Sequence, residues 1–358
     1  EPPCVTVCPT QAIVAGDLDD PQSRIVHMTS RLPLQVRKPE KGTRPKVFYV
    51  EADASALVPA AAPPPSDYMW AQSPQMAAFP GPLALPLTDD AGAPRRTYGV
   101  KEQHRNSWGP KVSAYLWTKS IAAGAFLVPA LRSLLDSWEP IVPAAPLVAL
   151  FFLALTGVLL VADLRQPRRF LWTLTRPQWR SWLTRGSYVI AAFGLLLGAE
   201  ALAVLGWLPF RLPRTATALT VLLAVFTAVY TAFLFGQAKG RDLWQSPLLA
   251  PHLLVQALVA GAALFSHEWL LWLLPVNGLL IAGEVWGRHP TEDAHRAAVL
   301  IQRDVRFGVG VLAAGHLLPL TLLWASPRAG LLSGSLALTG LLFWDHLYVQ
   351  APQQVPNA

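Results

Sequence analysis

Residues 112–134 read VSAYLWTKSIAAGAFLVPALRSL, with two cations, Lys119 and Arg132, and no anion. A helix over this stretch rises about 1.5 Å per residue, enough to cross a hydrocarbon layer of roughly 30 Å. Comparable runs recur at 141–163, 187–208, 215–236, 248–266, 269–286, 307–326 and 329–350. Pro140, Gly186, Pro213, Pro247 and Pro327 stand near the boundaries, where helices tend to start or stop. The pattern predicts an all-α membrane protein built on a bundle of about eight transmembrane helices. Only Ser266-His267-Glu268 separates the fifth and sixth spans, and a re-entrant hairpin there would change the count.

Composition supports lipid as the solvent. Hydrophobic residues make up 53% of the 358 and charged residues 14%, whereas soluble domains carry about 25% charged residues. The average conceals a division. Residues 1–50 read as the end of a compact domain, with a strand-like run at Val47-Phe48-Tyr49-Val50. Residues 51–107, rich in Ala and Pro and containing Pro63-Pro64-Pro65, read as an extended linker. Residues 108–358 form the membrane domain. The chain opens at Glu1 without the basic, apolar and small-residue regions of a signal peptide. Its first motif begins in mid-course, so preceding sequence is expected.

The net charge of +7 does not point to nucleic acid. Most arginines stand in loops beside apolar spans, where membrane topology and anionic lipid account for them. Loops 164–186, 237–247 and 287–306 hold twelve Lys and Arg residues. The opposite loops hold four: Arg132, Arg211, Arg214 and Arg328. The positive-inside rule then places both termini in the cytoplasm. An arginine-rich loop that docks an acidic partner would produce the same asymmetry.

Cys4 and Cys8 are the two cysteines of the chain, and one close pair makes no disulfide framework. Cys4-x-x-x-Cys8-Pro9 matches the end of the C-x2-C-x2-C-x3-C-P run that holds iron–sulfur clusters. Two thiolates cannot hold a four-iron cluster. Either further ligands precede Cys4, or no cluster forms here.

The wider segment, Cys4-Val-Thr-Val-Cys8-Pro9-Thr10-Gln11-Ala12-Ile13 with Gly16-Asp17-Leu18-Asp19-Asp20-Pro21, resembles the 4Fe-4S dicluster ferredoxin-type subunit of molybdopterin oxidoreductases. Further on, Trp108-Gly109-Pro110-Lys111 leads into the first span, and Asp163-Leu164-Arg165-Gln166-Pro167-Arg168-Arg169-Phe170 and Thr175-Arg176-Pro177-Gln178-Trp179 fill the second loop. With Tyr230-Thr231-Ala232-Phe233-Leu234 and Tyr348-Val349-Gln350-Ala351-Pro352, these make residues 105–355 similar to the NrfD/polysulfide reductase membrane-subunit family. The chain thus resembles a fusion of a ferredoxin remnant to a membrane subunit. The resemblance implies an eight-helix, haem-free site for menaquinone or ubiquinone in a bacterial inner membrane. It further implies electron exchange with an iron–sulfur relay, fused or separate, and with a molybdopterin catalytic subunit.

Ionisable groups inside a membrane are costly and usually functional. A quinone needs hydrogen-bond donors and a proton route, close to the cluster-bearing side. On that side Lys119 lies eight residues past Lys111, about 12 Å deep, and Tyr115 shares its face. The alternatives are a snorkelling lysine and an interfacial aromatic. Tyr230 falls in the motif similar to the family's quinone-contacting helix, its alternative being helix packing. His252 and Gln256 share a face, and His252 offers a proton site near neutral pH or a structural hydrogen bond. Glu284 offers a proton relay or a salt bridge to a loop arginine. Asp163 reads as structural. Glu200 and His316 lie deeper, as proton-path or helix-pairing groups, and Asp345 and His346 carry no assignment.

Three functions compete: a quinone-reactive subunit, a proton-translocating transporter-like protein, and a passive anchor for an iron–sulfur partner. No convincing internal repeat supports the transporter class. The topology is directly testable. A fluorescent protein fused behind residue 358 should fluoresce in cells, and alkaline phosphatase fused there should be inactive. Active phosphatase would reverse the orientation.

Overall fold

The computed structural model describes residues 2–8, 12–36, 44–50, 108–135, 141–164, 170–208 and 212–355. The linker expected at 51–107 and the loop cations Arg165, Arg168, Arg169 and Arg211 lie outside the described residues. The chain divides into two compact units, residues 13–103 with the extreme ends, and residues 3–12 with 104–357.

In the first unit, helix α2 (Arg24–Arg31) precedes a two-stranded antiparallel hairpin, β1 (Leu34–Gln35) and β2 (Tyr49–Val50). Leu34 pairs with Val50 and Gln35 with Tyr49. The strand expected at 47–50 is therefore confined to its last two residues.

The second unit begins with the short helix α1 (Pro3–Thr6) and continues as a helical bundle. Its long helices are α3 (Pro110–Leu135), α4 (Ala144–Asp163), α6 (Trp182–Val204), α7 (Arg214–Gly236), α8 (Leu249–Phe265), α9 (Leu270–Trp286) and α12 (Gly330–Gln354). An eighth apolar segment runs as a π-helix over Arg306–Leu317 and continues as α11 (Leu318–Ala325). Short helices α5 (Phe170–Thr175) and α10 (Glu292–Arg303) lie in the connections.

The segments fall within a few residues of the predicted spans, with one clear shift. The third was expected to start after Gly186, but α6 begins at Trp182 and carries Gly186 inside it. Gly186 is not a breaker here. It lets α6 lie against the ring of Tyr230, which a Cβ would strike. The helix ends instead near Gly206, whose φ of 75° suits a residue without a Cβ.

Among the described residues, six of these segments are long and apolar enough to cross a membrane by length and composition. The exceptions, α8 and α12, have a physical reason. α8 is largely enclosed by protein, and α12 is enclosed over its second half, so neither must present a continuous apolar surface to lipid. α8 has 17 residues, and α12 buries Ser333, Asp345, Gln350 and Gln353. α3 is also central, with 83% of its apolar window buried, against 17% for the peripheral α6. Leu195, Trp272, Leu279, Val309 and Trp324 are exposed on the outer helices, an apolar surface that lipid would cover.

Glycines set the spacing of the centre. A Cβ at Gly124 of α3 would strike the backbone of Ala257 and Gly261 in α8, and one at Gly261 would strike Gly124. Gly334 of α12 meets Ala263 of α8 in the same way, and Gly315 of the π-helix meets Gly340 of α12. Such small-residue crossings let helix backbones approach where no hydrophobic force drives association.

The ends of the bundle are pinned. At one, the Trp108 ring stacks on Phe235 and Trp244, with centroids 5.1 and 4.7 Å away. Trp108 N–H donates to Gln353, and its carbonyl accepts from Gln350 and Gln353. The start of α3 and the end of α12 thus share one face. At the other, Arg132 near the end of α3 donates to Ser266 and pairs with Glu268 at 2.7 Å. The turn between α8 and α9 therefore sits level with the far end of α3. The connection at 266–268 joins two 17-residue helices, α8 and α9.

Gly261→Val should lower bundle stability by at least about 3 kcal/mol, because backbone blocks the added atoms. Gly157→Val, where a Cβ meets nothing within 4 Å, should leave unfolding in detergent unchanged. Equal unfolding of both variants would refute the crossing.

Candidate functional site

One group of buried polar side chains in the second unit lies toward the face that holds Trp108. Five helices supply them, α3, α7, α8, α9 and α12. Lys119 is fully buried nine residues into α3. It does not snorkel. Its Nζ donates to Ala228 O at 2.7 Å and to Thr231 Oγ1 at 2.8 Å, both on α7. It also stands 5.3 Å from the Tyr230 ring centre, a cation–π contact in a dry setting. Tyr115 is buried one turn earlier, and both phenols lie beside Thr231. The Tyr230 hydroxyl has no hydrogen-bond partner among the described residues.

Asp345 of α12 is the carboxylate whose charge reaches Lys119. The two do not touch as an ion pair among the described contacts. Asp345 also lies beside Gln256 of α8. Gln256 leads to His252, one turn earlier, through a contact of 3.4 Å between its Nε2 and the ring Nε2. His252 Nδ1 meets Glu284 Oε2 of α9 at 2.7 Å, and both side chains are fully buried. The expected loop arginine is thus not the partner of Glu284. Removing one member of such a buried pair strands the other charge, typically at a cost of about 3–5 kcal/mol.

The five residues singled out from sequence, Tyr115, Lys119, Tyr230, His252 and Glu284, are all buried at this end of the bundle. They form two groups, Tyr115–Lys119–Tyr230 and His252–Glu284, bridged by Gln256 and Asp345. Thr231 and Asp345 were missed as members. Thr231 stood inside the 230–234 motif. The role of Asp345 depends on helix pairing, which no local pattern encodes. The remaining ionisable groups pair elsewhere. Glu200 accepts from Thr217 at 2.9 Å, tying α6 to α7. Lys111 donates to Ala162 O, next to Asp163. His346 meets Ser113 at 3.4 Å.

Residues 3–12 belong to this same unit. Val7 O accepts from Ser181 Oγ at 3.0 Å, immediately before α6. Trp182 stacks on Phe233 of α7 at 4.4 Å, and Gly186 holds the Tyr230 ring one turn further on. Cys8 Sγ accepts from Ala12 N–H at 3.2 Å, and Cys4 is exposed. No set of three or more His, Cys, Asp or Glu groups suited to a metal occurs among the described residues. Two thiols do not complete the ligand set of a four-iron cluster.

Comparison with known proteins bears on this arrangement. The family model described as polysulphide reductase, NrfD, matches residues 99–274. The iron–sulfur subunit of an arsenate respiratory reductase from Shewanella sp. (strain ANA-3) is 50% identical over 52 residues, 14% of this chain and 22% of that protein. A component of the polysulfide reductase of Wolinella succinogenes is 48% identical over 50 residues, 14% of this chain and 26% of that protein. A putative dimethyl sulfoxide reductase membrane subunit from Halobacterium salinarum is 27% identical over 216 residues, 51% of this chain and 49% of that protein. The chain thus spans half or less of each of these relatives. The protein is a multi-pass, helical membrane protein whose residues 99–274 match the NrfD/polysulphide reductase family model, and its N-terminal region is similar to the iron–sulfur subunits of reductase complexes.

Proposed function

We propose that the Lys119–Tyr230 cluster is a quinone site, and that the chain exchanges electrons between the membrane quinone pool and the iron–sulfur relay of a molybdopterin oxidoreductase complex. One observation carries the reading: a fully buried lysine amine beside a buried phenol whose hydroxyl, though near Thr231, has no partner within hydrogen-bond distance among the described residues. A buried donor left without an acceptor costs roughly 1–3 kcal/mol. A ligand carbonyl would satisfy it.

A quinone, when bound, supplies two-electron, two-proton redox chemistry. The residues supply the rest. Tyr230 offers its O–H. Lys119, oriented by Ala228 O and Thr231, holds an N–H donor where negative charge develops, and such donors count for more where water is excluded. His252, oriented by Glu284 through Nδ1, turns its Nε2 toward Gln256. Tyr115 stands beside Thr231, one turn from Lys119 on α3.

The Cys4–Cys8 segment, docked through Ser181, lies at the same end as this cluster. No electron step is assigned through these two thiols, since they do not complete a cluster. The relay and the molybdopterin subunit are proposed partners, a bacterial cytoplasmic membrane the proposed location, with both termini cytoplasmic. A passive anchor has no evident use for a lysine buried among helices, where ionisable groups are costly and usually mark function.

Tyr230→Phe should lower quinone-dependent turnover of the assembled complex by roughly 10- to 100-fold, the worth of one charge-assisted hydrogen bond. Lys119→Ala should do at least as much. Gly186→Val should reproduce the loss by displacing the Tyr230 ring. Turnover with an artificial dye should persist in all three. Full quinone activity in Tyr230→Phe with normal assembly would exclude the site.

A further inference from the structure

Two histidines in the bundle are held in the same unusual way. His252 Nδ1 faces Glu284 Oε2 at 2.7 Å, and its Nε2 faces the amide nitrogen of Gln256 at 3.4 Å. His316 Nδ1 faces Val311 O at 2.8 Å, and its Nε2 faces the amide nitrogen of Asn277 at 3.0 Å. A carbonyl can only accept, so His316 carries a proton on Nδ1. A carboxylate imposes the same on His252. Each Nε2 is then a bare lone pair, accepting from a carboxamide N–H.

Both carboxamides are incomplete at oxygen. Gln256 Oε1 and Asn277 Oδ1 are buried with no partner among the described residues; Gln256 also donates toward Asp345, a contact that its turn exchanges for the bond to His252. Rotating either amide by half a turn would bring its oxygen to the imidazole and its nitrogen to the orphaned position. That orientation is favourable only if Nε2 carries a proton. Amide direction and imidazole protonation are therefore coupled, since an amide offers a donor at one end and an acceptor at the other.

We propose that His252–Gln256 and His316–Asn277 are two proton-holding sites, each loaded at Nε2 when its carboxamide turns. Loading forms the Nε2–H bond and one N–H···O hydrogen bond. The bond broken is the Nε2–H of the other ring, whose carboxamide turns back as it gives up its proton. Glu284 and Asn277 lie seven residues apart on α9, two turns and about 10 Å along one face. The sites thus stand at successive depths, with Leu274 and Leu270, both buried, further along the helix.

The surroundings suit one shared proton. Glu284 faces His252 from α9, Asp345 and Tyr348 stand nearby on α12, and Lys119 contributes from α3. Around His316 the charged group within reach is His252 itself; Gly340 and Phe343 of α12 pack against the π-helix with no charge. Two cationic rings that feel each other's charge repel, so loading one disfavours loading the other. Placement of His316 in a twelve-residue π-helix fits a specialised role, because such helices are rare and cluster at functional sites. Use of these sites as a proton reserve for quinone chemistry rests on the function proposed above. The sites themselves do not.

Nitrogen-15 histidine NMR of the full chain in lipid nanodiscs tests this without quinone or partner. His252→Gln and His316→Gln assign the two rings. Both should show protonated Nδ1 and bare Nε2 at neutral pH, and acidification should protonate one Nε2 before the other. Asn277→Leu should abolish the protonated Nε2 signal of His316 while its Nδ1–H persists; Asn277→Asp, which keeps an acceptor, should restore it. A bare Nδ1 in either ring, or unchanged titration of His316 in Asn277→Leu, would overturn the proposal. If the NMR holds and Tyr230→Phe keeps full quinone turnover, only the quinone reading falls.

Discussion

Everything at the candidate site depends on how closely α3 and α8 cross. The backbones meet at Gly124 and Gly261, with no room for a Cβ on either. Lys119 stands five residues before Gly124, and Gln256 five before Gly261. Each is therefore about 7.5 Å from the crossing along its helix. The crossing thus fixes both side chains at one depth and brings α12, with Asp345, over the same level through Gly334 and Ala263. A wider crossing would leave the Lys119 ammonium in a gap, beyond reach of Ala228 O and Thr231. The buried cation is tolerable because the packing gives it two oxygen acceptors and an aromatic face.

The peripheral helices have a different task. α4, α6 and the π-helix–α11 segment expose leucines, valines and tryptophans, as lipid-facing surface should. The core helices need not be strongly apolar, and α12 is not. Polarity in the middle and apolarity outside invert the pattern of a soluble protein, and they explain why the most polar long helix is among the most enclosed.

Much of this was legible in the sequence. Span positions follow from apolar length, and the depth of Tyr115, Lys119, Tyr230, His252 and Glu284 follows from counting residues from the nearest boundary. Both are one-dimensional properties. Partnerships were not legible. Glu284 binds His252, not a loop arginine, because helix rotation decides which face α9 turns to α8. Gly186 read as a boundary, since a glycine that ends a helix and one that receives a ring look alike. The π-helix has no signature in composition; it arises from the packing of Gly310 and Gly315 against α12. Asn277 passed unnoticed because a single amide in an apolar run has no meaning until a histidine is found opposite.

The central claim is that quinone reaches the cluster between α3 and α7. Photolabelling the assembled complex with an azido-quinone, followed by peptide mapping, tests it most directly. Label that unmodified quinone displaces should fall on residues near Tyr115–Lys119 and Thr227–Thr231. Displaceable label confined to the outer faces of α4 or α11, with none on α3 or α7, would contradict the account.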